Sequence, residues 1–299
     1  MSASNAAVRR FIRSRRVRNA ALASGAAEEF ARAYVAGTNA LEAEQVVDRL
    51  REQGLLVSLA YLPTSDSESE TPGALLDALR VLGERARGAE LSVKPSSLGL
   101  RSDAASAAVR LGNLCAAAES AGAVVTLEMQ GAAAYSETLQ LWRQVRDSHP
   151  DLGVTLPVDI RRSESEVRTA AKEGARVRLC IGSYPVPRAL GYRREQEKSL
   201  ALVRCLRAAM EGGGYAMVAS HDPTIIAIAQ ELATRNQADF EFQMLHGVRP
   251  LEQRRLSDIG YRSRTYLPFG PGWFEYLSTR LASRPRTIVS YLRALGDKR

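Results

Sequence analysis

The chain has 299 residues, 45% of them hydrophobic, and a formal net charge of +8. It is too apolar for a disordered tail, too polar for a membrane-embedded chain and too long for a disulfide-stapled mini-protein. Six arginines (Arg9, Arg10, Arg13, Arg15, Arg16 and Arg18) precede the first acid, Glu28, and the remainder is close to neutral; this argues against a protein-wide surface for nucleic acid and leaves a basic arm.

Residues 1–53 read as that arm, basic and helical, with helices expected over 26–36 and 40–53. In the second, Leu41, Val46, Val47 and Leu50 share a face. Gly54 stops it, and a barrel domain is expected over 54–299. From there short apolar runs alternate with longer amphipathic segments. Strands are expected at 55–62, 89–93, 123–129, 153–160, 176–181, 215–219, 240–245 and 261–267. Helices are expected at 73–87, 104–121, 136–148, 164–173, 193–211, 223–235, 250–260 and 272–295. Eight strand–helix units in a row predict an α/β fold, a (β/α)8 TIM-like barrel with N-terminal helices. An open doubly wound sheet would want a Gly-rich turn after its first strand, where Leu62, Pro63, Thr64 and Ser65 stand. The acidic, Ser-rich stretch 64–71 reads as a polar loop.

Three scattered cysteines (Cys115, Cys180, Cys205) and three scattered histidines (His149, His221, His246) favour a reducing compartment and disfavour a disulfide framework or a zinc site. No run of about 18 apolar residues is present, so no transmembrane segment is expected. The expected location is cytoplasmic, with peripheral membrane attachment through the arm as a secondary expectation. No nucleic-acid partner is expected for the barrel.

In such barrels the reacting groups lie at the C-terminal ends of the strands. That rule selects Lys94, Glu128, Arg178, Ser220, His221, Asp222, Gln243, Arg264 and Tyr266, with Tyr276 and Arg280 on the last helix. Charges inside apolar strands are costly unless paired. Lys94 and Glu128 stand at equivalent depths on neighbouring strands and are expected to pair. Arg178 is expected to face an anion or a hydrogen-bonded group. Trp273 and Phe274 read as packing.

Several ordered motifs resemble the bacterial monofunctional proline dehydrogenases. They are Ser92-Val93-Lys94, Val177-Arg178-Leu179, Ala219 to Pro223, Glu241 to Gly247, and Tyr261 to Gly270 followed by Trp273, Tyr276, Arg280 and Arg284-Pro285. The match runs from about residue 30 to 296. The resemblance implies a distorted barrel that binds FAD and oxidises L-proline to Δ1-pyrroline-5-carboxylate by hydride transfer to the flavin, with a quinone or other electron acceptor. It implies that Lys94 and Glu128 frame the amine substrate, Leu245 walls it, Tyr266 lies beside it, and Tyr276, Thr279 and Arg280 meet its carboxylate. It places Arg178 against the flavin ring and Met129, Ile181, Gly182, Ser183, Ser220, His221 and Gln243 along the cofactor. The catalytic roles fall to Glu128, Arg178 and Tyr266.

The departures from the family pattern cluster at these positions. Thr279 stands where the first of two clamp arginines is expected, and Glu128 replaces an aspartate. Gln130 and Gly131 replace an acidic pair, Ile181 a lysine, Pro157 and Ser283 a glutamine and a glutamate, and Ala60 an aspartate. The leading expectation is an FAD-dependent oxidoreductase acting on proline or a proline-like secondary amine. The alternative, favoured by Pro157, Ile181 and Ser283, is a flavin-free barrel with a non-redox or binding role. A third, weaker reading has the basic arm touching nucleic acid or an anionic membrane.

Overall fold

A computed structural model describes residues 29, 31–64 and 70–283. The six arginines between residues 9 and 18, the acidic stretch 65–69, the Ser283 side chain and everything beyond that residue lie outside the described residues. The first full helix, α1 (Ala40–Glu52), starts where Asn39 accepts the Glu42 N–H and buries Ala43, Val46, Val47 and Leu50, the face its periodicity assigns. Strand–helix units follow: β1 (Leu56–Tyr61) and α2 (Glu70–Leu82), β2 (Glu90–Val93) and α3 (Ala104–Ser120), β3 (Val124–Leu127) and α4 (Tyr135–Arg146), β4 (Gly153–Pro157) and α5 (Ser163–Lys172). Then come β5 (Arg176–Cys180) and α6 (Glu195–Glu211), β6 (Tyr215–Val218) and α7 (Pro223–Asn236), β7 (Phe240–Leu245) and α8 (Pro250–Asp258), β8 (Ser263–Phe269) and α9 (Trp273–Ser283). All eight strands pair in parallel, in chain order, and β8 closes on β1.

The strands are not apolar throughout, as the sequence reading supposed. They alternate. Val57, Leu59, Leu91, Val93, Val125, Leu127, Val154, Leu156, Val177, Leu179, Phe242 and Met244 belong to the large core cluster, which they share with helix residues such as Leu75, Leu111, Leu139 and Leu202. The core therefore sits between the barrel wall and its helical sleeve. The residues in between face inward: Ser58, Glu90, Ser92, Thr126, Thr155, Arg178, Glu241, Gln243 and Arg264 are all buried. They come from strands all round the barrel yet bond one another, which is possible only across its axis. Barrels of this kind more often fill that space with branched apolar side chains.

Residues 40–52 were grouped with the arm on sequence. In the structure α1 packs on β1, β8 and α2, and Ser257 of α8 donates to the Gly54 carbonyl, so α1 completes the helical ring. The helix after β8 is thereby displaced. Leu277 of α9 joins a separate small cluster with Ala31, Val35 and Leu62, beside the C-terminal end of β1.

Candidate active site

Counting inward positions two at a time leads up each strand to the barrel mouth. On β2 the series is Glu90, Ser92, Lys94; on β3 it is Thr126, Glu128. Glu128 accepts hydrogen bonds from the Ser92 hydroxyl (2.8 Å) and the Tyr266 hydroxyl of β8 (2.7 Å). Ser92 in turn accepts from Arg178 Nη1 (2.8 Å), and the Arg178 guanidinium lies 5.8 Å from the centre of the Tyr266 ring. Four residues from four strands thus form one hydrogen-bonded chain.

The expected Lys94–Glu128 pair is not formed. Two hydroxyls satisfy the carboxylate without requiring an ammonium to lose its water. Lys94 is half-buried at the mouth, and its ammonium makes no hydrogen bond or ion pair with any described residue. Burial, and then the Glu128 charge, hold the Tyr266 phenol well above its ordinary value, so it stays an O–H donor.

Arg178 does face an anion. It pairs with Glu90, donates Nε to Gln243 (2.6 Å) and reaches Ser58 (3.4 Å) and Thr155 (3.5 Å). The Gln243 amide is fully engaged within the barrel, since its nitrogen donates to Glu241 (2.5 Å) and approaches Glu90. Below it Glu241 holds Arg264 with two bonds (2.7 and 2.8 Å). Glu90 and Glu241 were missed on sequence. The argument that singled out Arg178, a charge interrupting an apolar run, applies equally to both.

Other predicted positions surround the mouth. Met129 is buried beside Glu128. The Gly182 N–H donates to Asp159 (2.8 Å), and a Cβ at Gly182 would fall 2.6 Å from the Asp159 Oδ1, so a side chain there would displace that carboxylate. Ile181 packs half-buried on the core, and Ser183 is exposed. His221 accepts the Leu245 N–H at Nε2 (3.0 Å). Arg249 grips the His221 carbonyl (2.6 Å) from a left-handed backbone conformation (φ 51°). Ser220 accepts from the Asp222 N–H (3.2 Å), and Asp222 caps α7 with Pro223 behind it, a structural role. Tyr184, from the loop after β5, leans over Gly131, and the neighbouring Gln130 takes the Ser96 N–H on its side-chain oxygen (2.8 Å). Gln130 thus ties the loops after β2 and β3 together. On α9, Arg280 donates to the Tyr276 hydroxyl (2.5 Å), and Thr279 is an exposed residue.

A flavin, which the resemblance implies, fits this donor set. Arg178 is a fixed cation under the mouth, Lys94 and Arg280 are cations at its rim, and the bare backbone at Gly182 lets an extended group approach closely. Because Arg178, Gln243 and the Gly182 N–H already have partners, a ring or arm bonding to them exchanges one bond for another. Among the described residues no group of three or more His, Cys, Asp or Glu could hold a metal ion, and no helix is long and apolar enough to cross a membrane.

No protein-family model matches the chain. It is 29% identical over 275 residues to a Bacillus subtilis protein named proline dehydrogenase 1, covering 90% of this chain and 91% of that one. It is 28% identical over 275 residues to the proline dehydrogenase of Deinococcus radiodurans, covering 88% of each. Among solved structures it resembles proline utilization A from Bdellovibrio bacteriovorus, inactivated by N-propargylglycine (TM-score 0.77, 20% identity, 86% of this chain). It also resembles the Bradyrhizobium japonicum protein of that name (TM-score 0.69, 19% identity, 83% of this chain). The chain spans about a third of those longer proteins, 33% and 30%, and at these identities the likeness concerns the fold.

Proposed function

We infer that this divergent member of the bacterial monofunctional proline dehydrogenase family oxidises proline, or a proline-like secondary amine, to the corresponding imine with FAD as the flavin. The observation that carries the reading is the Tyr266–Glu128–Ser92–Arg178 chain, set beside an unpaired Lys94 at the mouth of the barrel.

When bound, the flavin supplies the hydride acceptor. The residues of this chain do the rest. Lys94 and Arg280 attract the substrate carboxylate to the rim. One arginine with an exposed threonine grips it less firmly than a two-arginine fork, so the group held there can be smaller in charge than a free carboxylate. A secondary amine must be neutral before a hydride leaves its ring carbon. Glu128 is the carboxylate placed to take that proton, and the Tyr266 and Ser92 hydroxyls fix its orientation. Starting from the ammonium form, loss of one proton to Glu128 and of one hydride from the ring carbon would leave a protonated C=N group, which gives the imine when its N–H proton is released. Arg178 is the positive charge beneath the site, suited to the negative charge that gathers on the reduced ring. Ser220, Ser183 and the Gly182 backbone would hold the polar arm, with Met129, Ile181 and His221 alongside. Leu245 and Tyr276 would wall the substrate.

The basic arm 1–53 precedes a catalytic barrel over 54–299, with α1 docked on the barrel. Electrons pass to a quinone or another acceptor, and the protein works in the cytoplasm with the arm available for peripheral membrane contact. The test is the visible spectrum of protein purified with FAD, followed by addition of L-proline and of L-proline amide. Bleaching of the flavin and imine formation support the reading. Protein that cannot be loaded with FAD overturns it and favours the flavin-free alternative.

A further inference from the structure

Around Arg178 the barrel interior carries a charge set whose other members the chemistry above does not use. Three guanidinium groups, Arg176, Arg178 and Arg264, face two wholly buried carboxylates, Glu90 and Glu241. Glu90 is its hub. It receives Arg178, the Ser58 hydroxyl (2.6 Å) and the Thr126 hydroxyl (2.6 Å), and lies 3.8 Å from Arg176. Burial alone would raise its carboxyl; Arg178, Arg264 and Arg176 overcome that and lower it to about 2, so it is an anion at any working pH. Stability does not account for such a set, because well-packed apolar side chains of similar volume do as well or better than buried ion pairs. The connections instead lead upward. Glu90 fixes Arg178, Arg178 donates to Ser92, and Ser92 donates to Glu128 at the mouth.

We propose that Glu90 is a positioning residue that holds the Arg178 guanidinium, and through Ser92 the Glu128 carboxylate, at the floor of the site, and that it offsets the arginine's charge beneath the flavin ring. The inference rests on the flavin reading. With Glu90 in place, the buried set has one surplus positive charge. Glu90→Gln makes it two and frees one side of Arg178. The reduced ring is more negative than the oxidised one, so the extra charge favours reduction.

The experiment measures the midpoint potential and visible spectrum of FAD bound to wild type, Glu90→Gln and Glu90→Asp, with circular dichroism to establish folding. The expected result for Glu90→Gln is a positive shift of the potential, about tenfold or more in the reduction equilibrium, which is about 30 mV for a two-electron couple. Glu90→Asp keeps the charge but draws the carboxylate back by one methylene, and should shift the potential less in the same direction. For L-proline, kcat should fall more than KM rises. Glu90→Gln leaves an uncompensated buried charge; if it does not fold, Glu90→Asp decides alone. Folded variants whose FAD has the wild-type potential overturn the proposal while leaving the proposed function standing. A wild-type protein that takes no FAD overturns both.

Discussion

At the scale of single residues, the Glu128–Tyr266 bond is the contact on which the proposed chemistry turns. Tyr266→Phe removes one of the two donors that orient Glu128 and leaves its other, Ser92, in place. The expected loss in kcat/KM is about tenfold, the equivalent of one good hydrogen bond to a charged group. Glu128→Gln should cost at least about a hundredfold, because it removes the proton acceptor. The double variant should be no worse than Glu128→Gln, a coupling that steady-state kinetics of the four proteins would read directly. Lys94 makes a separate prediction. Lys94→Met should raise KM for L-proline about tenfold or more yet change KM for L-proline amide little, since the amide offers no charge for the ammonium to meet. Equal effects on both substrates would mean that Lys94 does not meet the carboxylate. Arg178 was visible in the sequence as a charge that interrupts an apolar run, and Glu128 as a charge at the end of one. Glu90 and Glu241 obeyed the same rule but stood inside runs taken as continuous. The Lys94–Glu128 pair was misjudged because spacing gives the depth of two residues, not which polar neighbour reaches a carboxylate first.

At the scale of elements, all eight strands and their helices followed from hydrophobic patterning, because the outward face of each strand is unbroken by charge. What patterning could not reveal is which helix covers β8. An amphipathic stripe shows that a helix has something to bury, not against what. α1 takes the ring position, and α9 is left beside the end of β1 with Tyr276 and Arg280. The junction between β8 and α9 depends on Gly270, whose φ of +128° suits glycine alone and whose Cβ would fall 2.6 Å from the Leu62 carbonyl oxygen. Gly272 is equally crowded by Pro63. Gly270→Ala is therefore expected to cost about 1–3 kcal/mol of stability, from backbone strain and the displaced contact. It should also raise KM for the substrate more than it lowers kcat, because it moves Arg280 and leaves Glu128 in place. Thermal unfolding and steady-state kinetics on the same preparation separate the two effects, and an unaltered KM would place α9 away from the substrate.

At the scale of the whole molecule, the net charge of +8 says little about function, since six of its arginines lie between residues 9 and 18, before the first acid. The groups that govern the response to pH are buried or half-buried ones. His246, in the loop after β7, is lowered from 6.5 to about 4, first by burial and then by Arg49 of α1. Glu90 is lowered from 4.5 to about 2, and Glu241 is lowered as well. Each of these groups binds its proton more readily in the unfolded chain than in the folded one. Each therefore contributes stability that is fully present above the unfolded value and is lost as pH falls toward the folded one. For His246 the loss begins near pH 6.5 and is complete near 4; for Glu90 it begins near 4.5 and continues to about 2. The protein should thus lose stability in two overlapping stages on acidification, each on the order of a few kcal/mol. Urea midpoints measured from pH 8 to pH 3 would resolve them. His246→Phe keeps the volume and removes the titration, so it should flatten the profile between about pH 6.5 and 4.5 and leave the lower stage intact. A profile that falls as steeply in the variant as in the wild type would assign the upper stage to other groups. The lower stage belongs to the interior of the barrel, where carboxylates from two strands stand among arginines from two others. Protonating them removes the partners of Arg178 and Arg264, so the same acid that unfolds the barrel first undoes the floor of its site.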